Sequence, residues 1–393
     1  MLRRRVPAAF LARFAALLLL ALVASCGDDE AEGEAAVVEP EVVQVELTRG
    51  IGPLGPVPVT DDNPMSKVKV ELGKLLTFDN RMSGDESTSC TGCHVPDNGW
   101  GDGGMISRGY PGTSHWRNSQ TMVNAAYLGK LFWAGEALSL EAQAQSAWTG
   151  NLAGNLDKVV AEERMAQIPD YVRLFKEAFG TRPNWADALR AVATFERTLI
   201  AQNVPFDAFA EGDQSALSTE AKKGLVLFQG QAKCIECHNG PMFTDESFHN
   251  LGVARNTVFD READAQVALR WQHFARGVPE EVYRAADGDL GLYYTTKRDE
   301  DRGKFRTPPL RYLCYTEPYM HNGVFGTLEE VVEFYNQGGG DDPNKDSLLT
   351  RLNLTQDEKA SLVTFMESLC GDELVMEDPI LPEYETLPAV GGR

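Results

Sequence analysis

The chain has 393 residues, 43% hydrophobic and 24% charged, which is enough apolar content for two domains with their own cores. A formal net charge of −21 argues against nucleic acid and against an anionic membrane surface as partners, because both would repel it. That charge suits a soluble protein that meets a basic or locally complementary partner.

The N-terminus opens with Arg3-Arg4-Arg5, a largely apolar run from Ala8 to Val23, and then Val23-Ala24-Ser25-Cys26. This is the basic, apolar and small-residue order of an export signal. Its unbroken apolar part, Phe14 to Ala24, is too short to span a bilayer. The Val-Ala-Ser-Cys ending resembles a bacterial lipoprotein box. Residues 1–26 are therefore expected to be a signal peptide ending at a lipidated Cys26, with plain secretion as the alternative. The expected location is the cell envelope, facing the periplasm from the outer membrane, with membrane contact only through the lipid. Residues 27–50 begin Gly27-Asp28-Asp29-Glu30 and read as an acidic flexible tether.

From Gly50 to Val59 the Pro/Gly-rich chain reads as an extended lead-in, and Lys67 to Leu76 as a short amphipathic helix. A loop, Phe78 to Gly84, delivers the chain to Cys90-Thr91-Gly92-Cys93-His94. Two thiols three apart with a histidine after the second form the attachment pattern for c-type haem. Each thiol adds to one porphyrin vinyl group, and the histidine becomes an axial iron ligand. Residues 95–118 are rich in Gly, Asp, Pro and Asn and read as a long loop beside a cofactor.

Helical spacing returns in Leu140–Trp148, Leu156–Ile168, Tyr171–Phe179 and Trp185–Ala201, punctuated by Pro169 and Pro183. In the last of these, Trp185, Leu189, Val192 and Leu199 share a core face. Asn203 to Gln214 reads as a crossover. Ser218 caps a helix through Phe228 that leads into the second haem motif, Cys234-Ile235-Glu236-Cys237-His238. Capping boxes at Thr327-x-x-Glu330 and Thr355-x-x-Glu358 start two further helices, to Asn336 and to near Leu369. The Pro- and Glu-rich end, residues 381–393, reads as a surface tail. His273 has no motif around it and is expected to be exposed. Cys314 and Cys370 remain after the haem and lipid cysteines. Outside the cytoplasm they suggest a disulfide, with two buried free thiols as the alternative.

The expected architecture is mostly α: two cytochrome c-like haem domains, residues 51–205 and 206–380, packed against each other. Each follows the plan helix, loop, haem motif, loop, helix, as after a degenerate duplication.

Six segments in order resemble the bacterial di-haem cytochrome c peroxidase/MauG family. They are Leu72-Gly73-Lys74-Leu75-Leu76-Thr77-Phe78, Arg117-Asn118-Ser119-Gln120-Thr121, Phe132-Trp133-Ala134-Gly135, Phe195-Glu196-Arg197-Thr198, Phe248-His249-Asn250-Leu251-Gly252 and Pro318-Tyr319-Met320-His321-Asn322-Gly323. The resemblance implies two covalent haem c groups and an enzyme that uses hydrogen peroxide to oxidise a small electron-donor protein or a partner protein. It makes His94 the proximal ligand of the peroxide-reactive haem and His238 that of an electron-relay haem. Trp133 matches the tryptophan that couples the two. In MauG-type members a tyrosine, fourteen residues after the histidine of the Pro-Tyr-x-His motif, is the relay haem's second ligand; here it is Tyr335. Peroxidases carry methionine there. A calcium ion between the haems would be held by Asn118, Thr316 and Pro318, oxygen donors that suit a hard cation. His249 and His321 read as hydrogen-bonding neighbours of the relay haem.

The distal pocket departs from the family. Gln143 matches its glutamine, but Ala147 and Ala153 stand where the family has proline and the glutamate that shuttles protons. Glu136 is a substitute carboxylate from another direction. His115 lies in the loop that supplies a displaceable haem ligand in some members, but nearer Asn118 than the family places it. The alternative reading is therefore an electron-transfer protein of this fold with a disabled peroxide site.

Overall fold

The structure, a computed structural model, describes residues 43–386. The expected signal peptide, the lipidation site Cys26 and the tether through residue 42 lie outside the described residues.

Local capping signals start most of the long helices. Ser66 accepts a hydrogen bond from the Lys69 N–H and opens α1 (Lys67–Phe78). Ser139, Asp157 and Asn184 do the same for α2 (Leu140–Thr149), α3 (Lys158–Ala166) and α5 (Trp185–Glu196), while proline begins α4 (Pro169–Phe179). Helix α5 stops short of the expected Ala201. The Thr198 hydroxyl bonds back to the Phe195 carbonyl at 2.6 Å, and Leu199 N–H to Glu196, turning the chain off the helix axis. The crossover contains a one-and-a-half-turn helix, α6 (Pro205–Ala210), followed by α7 (Thr219–Gln229), capped by Ser218. A minimal ribbon, β1 (Phe248–His249) against β2 (Phe305–Arg306), brackets an excursion that holds α8 (Val258–Arg261), α9 (Ala263–Ala275), α10 (Glu280–Ala285) and α11 (Tyr293–Thr296). Both capping boxes form, at the starts of α12 (Leu328–Asn336) and α13 (Gln356–Glu367).

The chain is mostly helical, and the described residues belong to one compact unit. Its two ends repeat one packing event. Helix α1 crosses α5 at Gly73, where an added Cβ would lie 1.9 Å from the Ala191 carbonyl oxygen and 2.8 Å from Phe195 Cβ. Helix α7 crosses α13 at Gly224, with the same 1.9 and 2.8 Å distances to the Ser361 carbonyl oxygen and Phe365 Cβ. Only glycine allows backbones this close. Around the first crossing pack Leu72, Leu76, Trp148, Tyr171 and Val192. Around the second, Phe206, Phe228, Phe243 and Phe365 meet edge to face or tilted at centroid distances of 5.0–6.1 Å.

Three expectations need correction or refinement. His273 is fully buried, not exposed: it lies on the inward face of α9, where Nδ1–H donates to the Leu269 carbonyl at 2.7 Å and Nε2 accepts from Leu290 N–H at 3.3 Å. Residues 43–50, read as the end of the tether, lie against the core. Val45 and Leu47 pack on it, Thr48 bonds to Gln229, and Arg49 pairs with Glu236 at 2.7 Å. The described start of the C-terminal tail is also tied down, by Glu385 N–H to the Gln167 carbonyl at 2.9 Å. Cys314 and Cys370 form a disulfide.

Replacing Gly73 or Gly224 by alanine tests the crossings. Helix propensity favours alanine by about 1 kcal/mol, but a methyl group 1.9 Å from a backbone oxygen forces the helices apart. Each variant is expected to lose about 1–3 kcal/mol in denaturant unfolding. A gain of stability would show that the helices are not packed this closely.

Candidate active site

Each haem motif begins with a single 3-10 turn, Cys90–Gly92 and Cys234–Glu236, so that the histidine N–H bonds back to the first cysteine's carbonyl at 2.9 and 2.8 Å. All four motif cysteines are free thiols. Burial pushes the Cys90 thiol up to about 12 and the Cys93 thiol up to about 11. The histidines are held alike. His94 Nδ1–H donates to the Trp100 carbonyl at 3.1 Å and His238 Nδ1–H to the Phe243 carbonyl at 3.0 Å. Both carbonyls belong to residues in the left-handed region, at φ 60° and 54°. With the proton on Nδ1, each Nε2 is free to bind a metal.

One cavity of about 900 Å³ is lined by both motifs and by Trp133 and Tyr335. It brings together every expected ligand and pocket residue described: Asn118, Thr316, Pro318, Gln143, Ala147, Ala153, Glu136 and His115. Trp133 is fixed at both ends. Its indole N–H donates to the Asn118 carbonyl at 2.9 Å, and its own carbonyl accepts from Arg306 N–H at 2.8 Å. His321 stacks on Phe305 at 3.6 Å and meets Trp133 edge-on at 6.4 Å, and its carbonyl accepts from Asn118 N–H at 2.8 Å. Burial and nearby Arg117 outweigh Asp289 and lower the His321 imidazole to about 4, so it is neutral. His249 lies apart from this stack and bonds to Asp346 at 2.6 Å.

Buried charges surround that bridge. Arg117 donates through Nε and Nη2 to Asp289 at 2.5 and 3.0 Å and lies 3.7 Å from Glu136. Burial alone would raise the Asp289 carboxyl, but the guanidinium beside it holds it down at about 2. Arg306 is 1% exposed and donates to neutral acceptors, the carbonyls of Phe132 and Thr307 and the Gln120 amide oxygen. Burial pulls its guanidinium down to about 10, and among the described residues no carboxylate pairs with it.

The Tyr335 hydroxyl lies in the cavity without a protein hydrogen bond among the described residues. Burial, then Cys234 and Cys237, raise its ionisation well above the ordinary phenol value. His115 differs from the two motif histidines. It stacks on Trp116 at 4.0 Å, and its Nδ1 accepts the Arg117 N–H at 3.4 Å, which leaves the ring proton on Nε2. Ala147 and Ala153 give the wall beside Gln143 two methyl groups where the family has a proline and an acid.

Sequence reasoning gave no role to Glu196. It is 4% exposed on α5 and reaches the cavity wall one turn after Val192, and its Oε2 has no partner. Burial, then Glu141, raise its carboxyl from the ordinary 4.5 to about 8. The signal was present: an acid one turn past Val192 on an otherwise apolar helix face.

Comparison with known proteins agrees with this geometry. Residues 67–215 match the model of the di-haem cytochrome c peroxidase family. The chain is 52% identical over 344 residues to cytochrome-c peroxidase IdrP1 of Pseudomonas sp. (strain SCT), covering 86% of this chain and 91% of that protein. It is 34% identical to the methylamine utilization protein MauG of Methylorubrum extorquens, covering 83% and 85%. A solved MauG-like protein associated with microbial copper homeostasis superposes with a TM-score of 0.70 at 28% identity, covering 83% of this chain and 97% of that one.

The Glu196 carboxyl sets a pH dependence. Below pH 4.5 it is protonated folded and unfolded alike; between 4.5 and about 8 only the unfolded chain ionises freely, so stability falls as pH rises, then levels. Glu196→Gln is expected to flatten that fall, by on the order of 5 kcal/mol between its ends. Thermal unfolding of both proteins across pH 5–9 checks this. Parallel curves would place the titrating group elsewhere.

Proposed function

This chain belongs to the di-haem cytochrome c peroxidase family, and from that premise we propose how its residues divide the work of a peroxidase-type oxidoreductase. The residues fit two haem c groups. Four unpaired thiols and two histidines with Nε2 free line one cavity, and the orphaned buried charge of Arg306 suits a haem propionate. Cys90, Cys93 and His94 hold the peroxide-reactive haem, and Cys234, Cys237 and His238 the relay haem. When bound, the haems supply iron that takes oxidising equivalents from hydrogen peroxide and passes electrons.

The observation that carries the reading is the single cavity joining both motifs to Trp133 and Tyr335. Trp133, pinned by Asn118 and Arg306, keeps a fixed aromatic plane between the two sites. Tyr335 would serve as the relay haem's second ligand. Burial opposes its ionisation, and a metal cation would reverse that balance. A tyrosinate is a hard anion that favours higher oxidation states. It therefore favours MauG-type oxidation of a partner protein over oxidation of a small donor cytochrome. Calcium fits beside the bridge. Asn118 uses its side-chain N–H on the Gly104 carbonyl, which leaves Oδ1 available, and the carbonyls of Thr316 and Pro318 accept no hydrogen bond among the described residues.

Peroxide enters the pocket of Gln143, Ala147 and Ala153. With alanine at the family's glutamate position, His115 and Gln143 serve as hydrogen-bonding groups there, and Glu136 is a replacement carboxylate from another direction. Cys26 anchors the protein by lipid on the periplasmic side of the envelope. No helix among the described residues is long and apolar enough to cross a membrane.

Stopped-flow absorption of the di-ferric protein with stoichiometric hydrogen peroxide, beside Tyr335→Met, tests the proposal. The wild type is expected to change spectrum rapidly and to hold the oxidised state. The variant, with a softer ligand, is expected to lose it at least about tenfold faster, about 1.4 kcal/mol in barrier. Bleaching alone, in both, would favour the electron-carrier alternative that Ala147 and Ala153 suggest.

A further inference from the structure

We propose that the C-terminal segment, residues 371–386, is a positioning element for His94. It acts through the buried indole of Trp100 on the first haem site and not on the second. The inference rests on the reading that His94 ligates a haem.

Trp100 is fully buried and works at both ends. Its carbonyl accepts His94 Nδ1–H at 3.1 Å and Met122 N–H at 3.3 Å. Its indole N–H donates to the Leu374 carbonyl at 2.8 Å. Leu374 is itself latched, its N–H donating to the Tyr312 hydroxyl at 2.6 Å. The root of the segment is held by the Cys314–Cys370 disulfide and by the Tyr315 hydroxyl on the Gly371 carbonyl at 2.9 Å. Its far end is held by Arg81, which donates to the Pro382 carbonyl at 2.8 Å and covers the Tyr384 ring at 4.9 Å. The segment is thus a strap, tied at both ends and bonded near its root to the residue that orients His94.

The turn that carries Trp100 depends on such support. Trp100 is left-handed at φ 60°, a conformation that costs a non-glycine residue roughly 1 kcal/mol, so tertiary contacts must hold it. Just before it, a Cβ on Gly99 would lie 2.2 Å from the Tyr315 carbonyl oxygen, which leaves the turn pressed against the strap's root. At the second site the equivalent carbonyl belongs to Phe243, whose side chain has no polar atom and packs among Phe206, Phe228 and Phe365. One histidine is therefore oriented through a hydrogen-bonded latch, the other through apolar packing. A firm Nδ1–H bond makes an axial imidazole more basic and stabilises oxidised iron. Loosening the latch weakens that bond at His94 alone.

The test is a spectroelectrochemical titration of the haem-loaded protein, wild type, Trp100→Phe and a chain ending at Asp372. Each altered protein is expected to favour reduction of the first haem about tenfold, ~59 mV for a one-electron couple, with the second unmoved. The two changes combined should add nothing further. An unmoved first haem in loaded Trp100→Phe, or equal shifts at both haems, overturns the proposal. Should Trp100→Phe fail to load, Tyr312→Phe removes only the hydroxyl that latches Leu374; it should shift the first haem the same way, and no shift overturns the proposal. Peroxide reactivity of the wild type is read separately: its absence would overturn the functional reading while leaving the comparison of potentials intact.

Discussion

Two helix crossings in which backbone touches backbone support everything else in this molecule. At Gly73 and Gly224 the approach is so close that a single methyl group would collide with the opposing carbonyl oxygen. Each crossing joins a helix leading toward a haem motif to one that walls the same site. Helix α7 runs almost directly into Cys234, and α5 carries Val192 and Glu196 to the cavity. Packing this tight does not deform gradually, so the motif turns hang from rigid supports.

On that frame the two sites are alike in their first bonds and different in their surroundings. Both motif histidines give Nδ1–H to the carbonyl of a left-handed aromatic residue. Behind the second, four phenylalanines pack against one another, with His249 and Asp346 paired on the other side of the motif. Around the first, polar groups crowd in: His115 with its proton on Nε2, the raised carboxyl of Glu196, and an indole bonded to the C-terminal strap. A site that must handle a polar oxidant and its protons benefits from such groups, whereas one that only passes electrons benefits from dry, fixed packing.

Between them the bridge is built on neutral rings and compensated charge. His321 is kept uncharged by burial, and Arg117 is neutralised by Asp289. Among the described residues Arg306 has no carboxylate in direct contact, only neutral hydrogen-bond acceptors. An uncompensated guanidinium is costly to bury, which makes it the strongest mark within the protein of an anion that belongs beside it.

Much of this was legible in the sequence. The haem motifs, the family segments, the capping boxes and the order of the helices are local, because covalent chemistry and hydrogen bonds within four residues depend on neighbours along the chain. Cys90, His94, Trp133 and Tyr335 could each be named from spacing or resemblance. The burial of His273 could not, because its burial depends on Leu290 and Tyr294, residues distant in the sequence. Nor could the role of Glu196, whose carboxyl is set by desolvation, or the latch from Leu374 to Trp100, which spans 274 positions. Sequence by itself determined which groups could bind haem and where helices begin. Only the tertiary structure decided which nitrogen carries a proton, which charge lacks a partner and which carbonyl is held, since burial and long-range contact are properties of the folded chain.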